Sequence, residues 1–222
     1  MSLPRKALAV VFDMDGLLFD TESLYRDAVI AVAGEQGHEM PMSFYMTLIG
    51  QSGEATSRAF KARFGEGFDF TGFWGAASTR FHELASSQRY MKEGVVELLD
   101  ALDSAGVPRA IATSSRHQDV RQHLEAHGLL DRFDAVVAKG DYARGKPNPD
   151  PFLTAAERLG HAPEFCLALE DSHHGVRAAS SAGMMTIMVP DLLAATAEME
   201  ELCICIAKDL HEVRTLMALR AE

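Results

Sequence analysis

From about residue 90 onward, short apolar runs alternate with amphipathic segments, and this rhythm limits the folds that the chain can adopt. Apolar runs of four to six residues predict buried strands, and apolar residues three or four positions apart predict helices. Strands separated by single helices form right-handed βαβ units, which give a mainly parallel sheet. The predicted strands are residues 107–112, 134–138, 166–169, 185–189 and 203–207, and the helices between them include 95–105, 151–159 and 172–182.

One more apolar run, Val10 to Phe12, lies near the start of the sequence and is followed by Asp13, Met14, Asp15 and Gly16. It predicts a further buried strand with two carboxylates on one face of its end, because side chains alternate along a strand. Two carboxylates so close together repel each other unless a cation or a shared proton compensates. A strand end followed by an ordinary turn would explain the same residues, so the pair is not decisive by itself.

Residues 21–88 show no strand alternation, and helical patterns cover 22–36, 42–49, 54–64 and 70–86. Ten of the seventeen aromatic residues lie between Phe44 and Tyr90, which indicates a separate small hydrophobic core. We therefore predict an α/β protein with a Rossmann-like, doubly wound parallel sheet. Its core domain would comprise residues 1–20 and 89–222, with an inserted all-helical domain at 21–88.

The formal net charge is −11, and no basic run occurs, which argues against a nucleic-acid polymer or an anionic membrane as partner. No stretch approaches the roughly 18 apolar residues of a membrane span. Cys166, Cys203 and Cys205 lack the C-x-x-C spacing and are interpreted as reduced thiols in the core of a cytoplasmic protein. A small anionic substrate is compatible with this composition, and we expect a monomer or a weak dimer.

Three further polar clusters follow predicted strands or lie in a proline-containing loop. They are Thr113-Ser114, Glu170-Asp171 and Lys146. Singly, each could be a helix cap or a surface charge. Ligands of open α/β sheets bind at the carboxyl ends of the strands, where these clusters would meet Asp13 and Asp15. Together they offer carboxylates for a hard divalent cation, donors for an anion and one lysine, which is the set used in phosphoryl transfer.

These clusters resemble, in the same order, the four motifs of the haloacid dehalogenase-like (HAD) phosphatase superfamily. Phe12–Gly16 resembles its D-x-D motif, and Ala112–Ser115, Gly145–Pro147 and Leu169–Ser172 resemble the other three. The helical insertion resembles the cap domain of the β-phosphoglucomutase-like subgroup. The resemblance implies the HAD fold and hydrolysis of a small phosphomonoester.

The resemblance also implies roles for individual residues. Asp13 would be the nucleophile that forms an aspartyl-phosphate, and Asp15 would be the general acid and base. The implied Mg²⁺ ligands are Asp13, Asp15 through its carbonyl, Asp171 and Glu170, and the implied phosphate-binding residues are Thr113, Ser114 and Lys146. His173 and His174 are expected to be exposed, because imidazole is a poor ligand for Mg²⁺.

Substrate choice is expected to depend on the helical domain, where the candidates are Glu22, Tyr25, Gln51 and Ser52. Each of these could equally be an ordinary residue of a helix surface or of a turn, with no role in substrate binding. The runs around Asp13 and from Asp20 to Tyr25 look most like those of pseudouridine-5'-phosphatases, but sugar-phosphate phosphatases share much of this pattern. The expected substrate is therefore a small phosphorylated metabolite, either a sugar phosphate or a nucleoside monophosphate.

Two other functions are compatible with parts of this pattern. The mutases of the subgroup carry His and Arg at positions that are Tyr25 and Gly53 here, so nothing at those positions would hold a second phosphate. Arg58 lies close enough in sequence to substitute, and a phosphosugar mutase is therefore the first alternative. A non-catalytic binding protein on the same fold is the second alternative. The loss of Asp13, Asp15 or Lys146 would have supported it, and all three residues are present.

Overall fold

A computed structural model describes residues 3–49, 53–87 and 90–218. The chain forms two compact units. The larger consists of Met1–Asp20 and Met91–Glu222, and the smaller is Thr21–Tyr90. No helix within these described ranges is long and apolar enough to cross a membrane.

The larger unit is built on a six-stranded sheet in which all neighbouring strands are parallel. The order β3-β2-β1-β4-β5-β6 places the first strand in the middle, and the direction of winding reverses between β1 and β4. This confirms the predicted doubly wound α/β class, and it makes the β1–β4 edge the expected place for a ligand. The strands are β1 (Ala9–Phe12), β2 (Arg109–Ala112), β3 (Ala135–Val137), β4 (Cys166–Glu170), β5 (Met185–Met188) and β6 (Cys205–Ile206).

Within its described residues, the smaller unit contains helices and connecting turns but no strand. Phe60 is fully buried in it, and its ring lies within 5.0–6.2 Å of the rings of several other aromatic residues. These aromatic residues form a hydrophobic interior that belongs to this unit alone. The helices are α1 (Thr21–Glu35), α2 (Met42–Met46), α3 (Gly53–Phe64) and α4 (Phe70–Ser87).

In the larger unit, small side chains let the helices approach the sheet closely. Alanines of β1, β2 and β4 pack with Phe152, Ala155 and Ala178 in one buried cluster. Since these strands are buried on both faces, β1, β2 and β4 are apolar along most of their length instead of alternating. The helices are α5 (Val95–Ala105), α6 (His117–Ala126), α7 (Asp150–Leu159), α8 (His173–Ser181), α9 (Ala197–Leu202) and α10 (Leu210–Leu216).

Differences from the sequence-based expectations lie at the far edge of the sheet. Only Cys205 and Ile206 of the predicted strand 203–207 are in β6. Cys166 is buried in the core as expected, but Cys203 and Cys205 are partly exposed, because they lie at or beside this edge strand. All three thiols are free.

Candidate active site

Strand β1 places Asp13 at the centre of the site. Its four residues are fully buried, and the N–H of Asp13 continues the ladder by donating to the carbonyl of Leu169 in β4 at 2.9 Å. The side chain of Asp13 is therefore held at the carboxyl end of the sheet, beside the end of β4. Asp13 itself is only 6% exposed.

Gly16 turns the chain immediately after the two aspartates. Its φ is +88°, a conformation that residues with a side chain rarely adopt. A Cβ at this position would also lie 2.8 Å from Cγ of Asp171, closer than real Cβ contacts. The turn thus requires glycine twice, once for its backbone angle and once to make room for the carboxylate of Asp171.

Glu170, the last residue of β4, is completely buried and firmly held. Its Oε2 accepts hydrogen bonds at 3.0 Å from the N–H of Asp171 and from both the N–H and the hydroxyl of Ser172. A Cβ on Gly175, in the first turn of α8, would overlap the carboxylate of Glu170. Three donors and a close helix backbone thus fix its orientation.

Lys146 connects the ends of β1 and β4. Its Nζ donates to the carboxylate of Asp13 and, at 2.5 Å, to Oε1 of Glu170. The same Nζ lies 5.1 Å from the centroid of the Phe152 ring, and the side chain is 7% exposed. The peptide bond between Lys146 and Pro147 is cis. A single buried cation therefore serves two buried carboxylates.

Burial and neighbouring charges shift the pKa values of both Asp13 and Lys146. Burial raises the pKa of Asp13, and Lys146 opposes this only in part because Glu170 and Asp15 add further negative charge. Burial lowers the pKa of Lys146, but the attraction of Asp13 and Glu170 outweighs it, so the pKa of this lysine is raised. Lys146 therefore remains protonated, and the repulsion between Asp13 and its acidic neighbours favours a proton or a metal cation beside the Asp13 carboxyl group.

Asp13, Glu170 and Asp171 each offer a carboxylate oxygen, and these oxygens all lie within 4.8 Å of one another. All three residues are buried. Carboxylate oxygens are the ligands that Mg²⁺ prefers. A divalent cation here would offset the repulsion between the buried carboxylates, which is stronger away from water. The residues present thus fit a metal site at the carboxyl ends of β1 and β4.

The loop after β2 contributes hydroxyl groups. Thr113 is buried, its Oγ1 accepts from the N–H of Ser115 at 3.0 Å, and its carbonyl accepts from the hydroxyl of Tyr142 at 3.1 Å. Ser115 donates through Oγ to Oδ2 of Asp15 at 2.7 Å, and Thr113 contacts the same oxygen at 3.5 Å. Ser114 is exposed beside them. The loop thereby holds the Asp15 carboxylate, a function of Ser115 that sequence reasoning missed.

The structure brings together seven predicted site residues from the sheet and its loops. These are Asp13, Asp15, Thr113, Ser114, Lys146, Glu170 and Asp171. His173 and His174 are not grouped with the carboxylates: His174 is exposed, and Nε2 of His173 lies 2.9 Å from the carbonyl oxygen of Ala194.

The predicted substrate residues belong to the smaller unit or fall outside the description. Glu22 and Tyr25 lie on α1, where the Tyr25 ring packs 5.4 Å from that of Trp74 and 5.3 Å from that of Phe81. Burial raises the pKa of the Tyr25 hydroxyl. Arg58 is exposed on α3. Gln51 and Ser52 lie outside the described residues.

Comparison with known proteins identifies the class. The model of the haloacid dehalogenase-like hydrolase family matches residues 10–189, and the chain belongs to this family. This span includes all but the first residue of β1, the smaller unit, and the ends of β2 and β4 that carry the candidate site.

Among curated relatives, the "Probable pseudouridine-5'-phosphatase" of Drosophila melanogaster is 36% identical over 196 residues, covering 84% of this chain and 83% of its own. The "Phosphorylated carbohydrates phosphatase" of Thermotoga maritima is 33% identical over 183 residues, covering 81% and 83%. The crystal structure of a "putative beta-phosphoglucomutase" from Thermotoga maritima superposes with a TM-score of 0.83 at 28% identity, over 96% of this chain and 99% of that one.

Proposed function

We propose that this protein is a Mg²⁺-dependent phosphatase that hydrolyses a small phosphomonoester through an aspartyl-phosphate intermediate. The observation that carries the proposal is the grouping of Asp13, Glu170 and Asp171 within 4.8 Å of one another, with Lys146 bonded to the first two. This arrangement combines a nucleophilic carboxylate, a place for a divalent cation and a fixed positive charge. Family membership and the names of the two curated relatives support it.

In the first step, a carboxylate oxygen of Asp13 attacks phosphorus, and the bond from phosphorus to the ester oxygen of the substrate breaks. Asp15 donates a proton to that leaving oxygen, so that the alcohol leaves neutral. Lys146, Thr113 and the N–H of Ser114 bind phosphoryl oxygens and offset their negative charge. Lys146 also donates to the carboxylate of Asp13 and thereby keeps the nucleophile oriented.

In the second step, Asp15 accepts a proton from a water molecule as that water attacks the phosphorus of the intermediate. The bond to Asp13 breaks, which releases inorganic phosphate and restores both aspartates to their starting protonation. Asp13, Asp171, the Asp15 carbonyl and Glu170 would hold Mg²⁺, which supplies charge neutralisation for the phosphoryl group. Glu170 contributes mainly by anchoring Lys146, since three donors already occupy its Oε2.

For the substrate we propose a nucleoside monophosphate or a sugar phosphate, and we assign its selection to the smaller, helical unit as a cap domain. The names of the Drosophila and Thermotoga phosphatases support these two classes. The smaller unit has its own aromatic core around Phe60, which supports its assignment as a separate domain that carries Glu22 and Tyr25 on α1.

The test is phosphate release from p-nitrophenyl phosphate with and without Mg²⁺, together with an Asp13→Asn variant. We expect hydrolysis that requires Mg²⁺ and falls by at least about 10⁴-fold in Asp13→Asn, because an amide cannot act as the nucleophile. A panel that includes pseudouridine 5'-phosphate, nucleoside monophosphates and hexose phosphates then ranks the substrates. Hydrolysis that persists in Asp13→Asn would contradict the mechanism.

The structural similarity to the Thermotoga protein named as a mutase makes the mutase alternative worth a direct test. A mutase converts β-glucose 1-phosphate into the 6-phosphate when primed by a bisphosphate. We expect free phosphate instead, because Tyr25 and Gly53 offer no guanidinium for a second phosphate. Isomerisation that exceeds phosphate release, and that is lost in Arg58→Ala, would favour the mutase.

A further inference from the structure

A second ion pair lies in the larger unit, in two segments that flank the candidate metal site. Lys92 donates through Nζ to Oδ1 of Asp191 at 2.7 Å, and their side chains are 27% and 10% exposed. Asp191 lies in the loop after β5, and Lys92 lies where the chain re-enters this unit. None of the four sequence motifs includes either residue.

Both partners are attached to segments that carry site residues. The N–H of Lys92 donates to the carbonyl of Leu18, in the turn that follows Gly16, at 2.9 Å. Two residues before Asp191, the N–H of Val189 donates to the carbonyl of Glu170 at 2.7 Å. The ion pair is therefore held against both the β1 turn and the end of β4.

The loop that carries Asp191 is also fastened beyond this residue. The ring of His173, at the start of α8, lies 2.9 Å from the carbonyl oxygen of Ala194. Asp191 thus lies on a segment that is held at Val189 and again at Ala194. Its carboxylate has little freedom to turn away from the site.

One oxygen of Asp191 remains unexplained by these contacts. Its Oδ2 is buried and has no hydrogen-bond partner among the residues that the structure describes. A buried acceptor without a donor costs about 1–3 kcal/mol, and more when it is charged, so such oxygens normally have a partner. A partner from outside the polypeptide is therefore expected here.

Gly16 shows where this oxygen is directed. A Cβ built on Gly16 would lie 3.4 Å from Oδ2 of Asp191 and 2.8 Å from Cγ of Asp171. The two carboxylates thus approach the same side of one glycine. Asp191 does not belong to the group of three close carboxylates, which places it one layer further out.

We propose that Asp191, oriented by Lys92, is a positioning residue for the metal site, and that its Oδ2 accepts a hydrogen bond from a water molecule coordinated to the Mg²⁺ ion. Mg²⁺ in proteins usually keeps several water ligands, and residues that bind those waters orient the ligand shell. This proposal rests on the proposed function, since it requires that Asp171 and its neighbours hold the ion.

The experiment measures Mg²⁺ binding directly, by isothermal titration calorimetry on the full-length protein without substrate. Asp191→Asn is the informative variant, because its amide oxygen can still accept from Lys92 while its NH₂ group replaces the acceptor at Oδ2. We expect its Kd for Mg²⁺ to rise by about 10-fold or more, the usual range for such outer-shell partners. The midpoint of thermal unfolding in EDTA should change little, since the contact with Lys92 is kept.

Two further variants separate this role from a purely structural ion pair. Lys92→Met removes the pair but leaves the Asp191 carboxylate and takes a positive charge away from the site, so we expect a smaller loss of Mg²⁺ affinity or none. Asp141→Asn disrupts another partly buried ion pair of the same unit and should leave the Kd for Mg²⁺ unchanged. A loss of Mg²⁺ affinity in Lys92→Met with wild-type affinity in Asp191→Asn would overturn the proposal, because the ion pair and not Oδ2 of Asp191 would then affect the Kd.

Failure of this inference can be told apart from failure of the proposed function through Asp171→Asn. If wild type binds Mg²⁺, Asp171→Asn loses it and Asp191→Asn keeps the wild-type Kd, only the role of Asp191 is overturned. If wild type binds no Mg²⁺, the metal site itself is refuted and both proposals fall. A raised Kd in Asp191→Asn, with Asp141→Asn unchanged, supports both.

Discussion

Gly16 and Asp171 lie so close together that no side chain on the first residue could coexist with the carboxylate of the second. A Cβ on Gly16 would be 2.8 Å from Cγ of Asp171 and nearer still to Oδ2. The backbone of the turn after β1 therefore packs directly against the Asp171 side chain at the end of β4. This contact brings Asp13 and Asp171, from two adjacent strands, to a common point.

Gly16→Ala should damage the metal site as well as the fold. The positive φ costs about 1 kcal/mol, and the methyl group must additionally displace the carboxylate of Asp171. We expect Mg²⁺-dependent turnover to fall by about 100-fold or more. Gly160→Ala is the matched control, because Gly160 has a φ of +72° with nothing within 4 Å of an added Cβ. Equal losses of turnover in the two variants would contradict the contact-based explanation.

Glu170→Gln should destabilise the protein strongly. One end of the carboxylate faces three donors and the other faces Lys146, so either orientation of an amide directs NH₂ at a donor. Disruption of a buried pair of this kind typically costs about 3–5 kcal/mol of unfolding free energy, which urea denaturation measures. Glu198→Gln, which weakens the exposed pair with Arg177, should have a much smaller effect. A small loss in Glu170→Gln would show that the amide is accommodated.

Ser115→Ala should slow proton transfer by Asp15, because it removes the hydroxyl that donates to Oδ2 at 2.7 Å. We expect kcat to fall by about 10-fold for an alkyl phosphomonoester, less than the 10²–10⁴-fold that general acid catalysis itself supplies. The loss should be smaller for p-nitrophenyl phosphate, whose leaving group needs little protonation. Ser104→Ala, which removes an exposed hydroxyl on α5, is the control. A loss that is the same for both substrates would argue against positioning of Asp15.

Asp141 should contribute to stability in a pH-dependent way. Partial burial would raise its pKa, but hydrogen bonds from His117, the Ala138 N–H and Arg158 prevail and lower it from 3.8 to about 2. Because the folded-state pKa is the lower one, the contribution is complete above pH 3.8 and is lost as the pH falls through 2. We expect Asp141→Asn to lose about 1–2 kcal/mol of unfolding free energy at pH 7, since contact with water weakens the ion pairs.

Denaturation of wild type and Asp141→Asn from pH 7 down to pH 2 checks this expectation. The difference in unfolding free energy should shrink below pH 3.8 and approach zero near pH 2. A difference that stays constant over the whole range would mean that packing of the side chain, and not its charge, stabilises this loop.

The sequence by itself determined the class of fold and the polar residue types that follow its strands. Hydrophobic periodicity is a local property, so the strands of the sheet and α5 over Val95–Ala105 could be predicted from neighbouring residues alone. The alternation of side chains along a strand predicts that Asp13 and Asp15 share a face, and parallel topology carries Glu170 and Asp171 to the same edge. Short-range rules were sufficient for these features.

Only the tertiary structure decided which side chains support those groups. Ser115 and Asp15 are 100 positions apart, and Lys92 and Asp191 are 99 apart, so no local pattern couples them. Gly175 has no feature in the sequence that marks its close approach to Glu170. Such contacts depend on the relative positions of elements that pack together only after folding. Close packing makes these positions precise to about a few tenths of an ångström, and each contact is therefore specific.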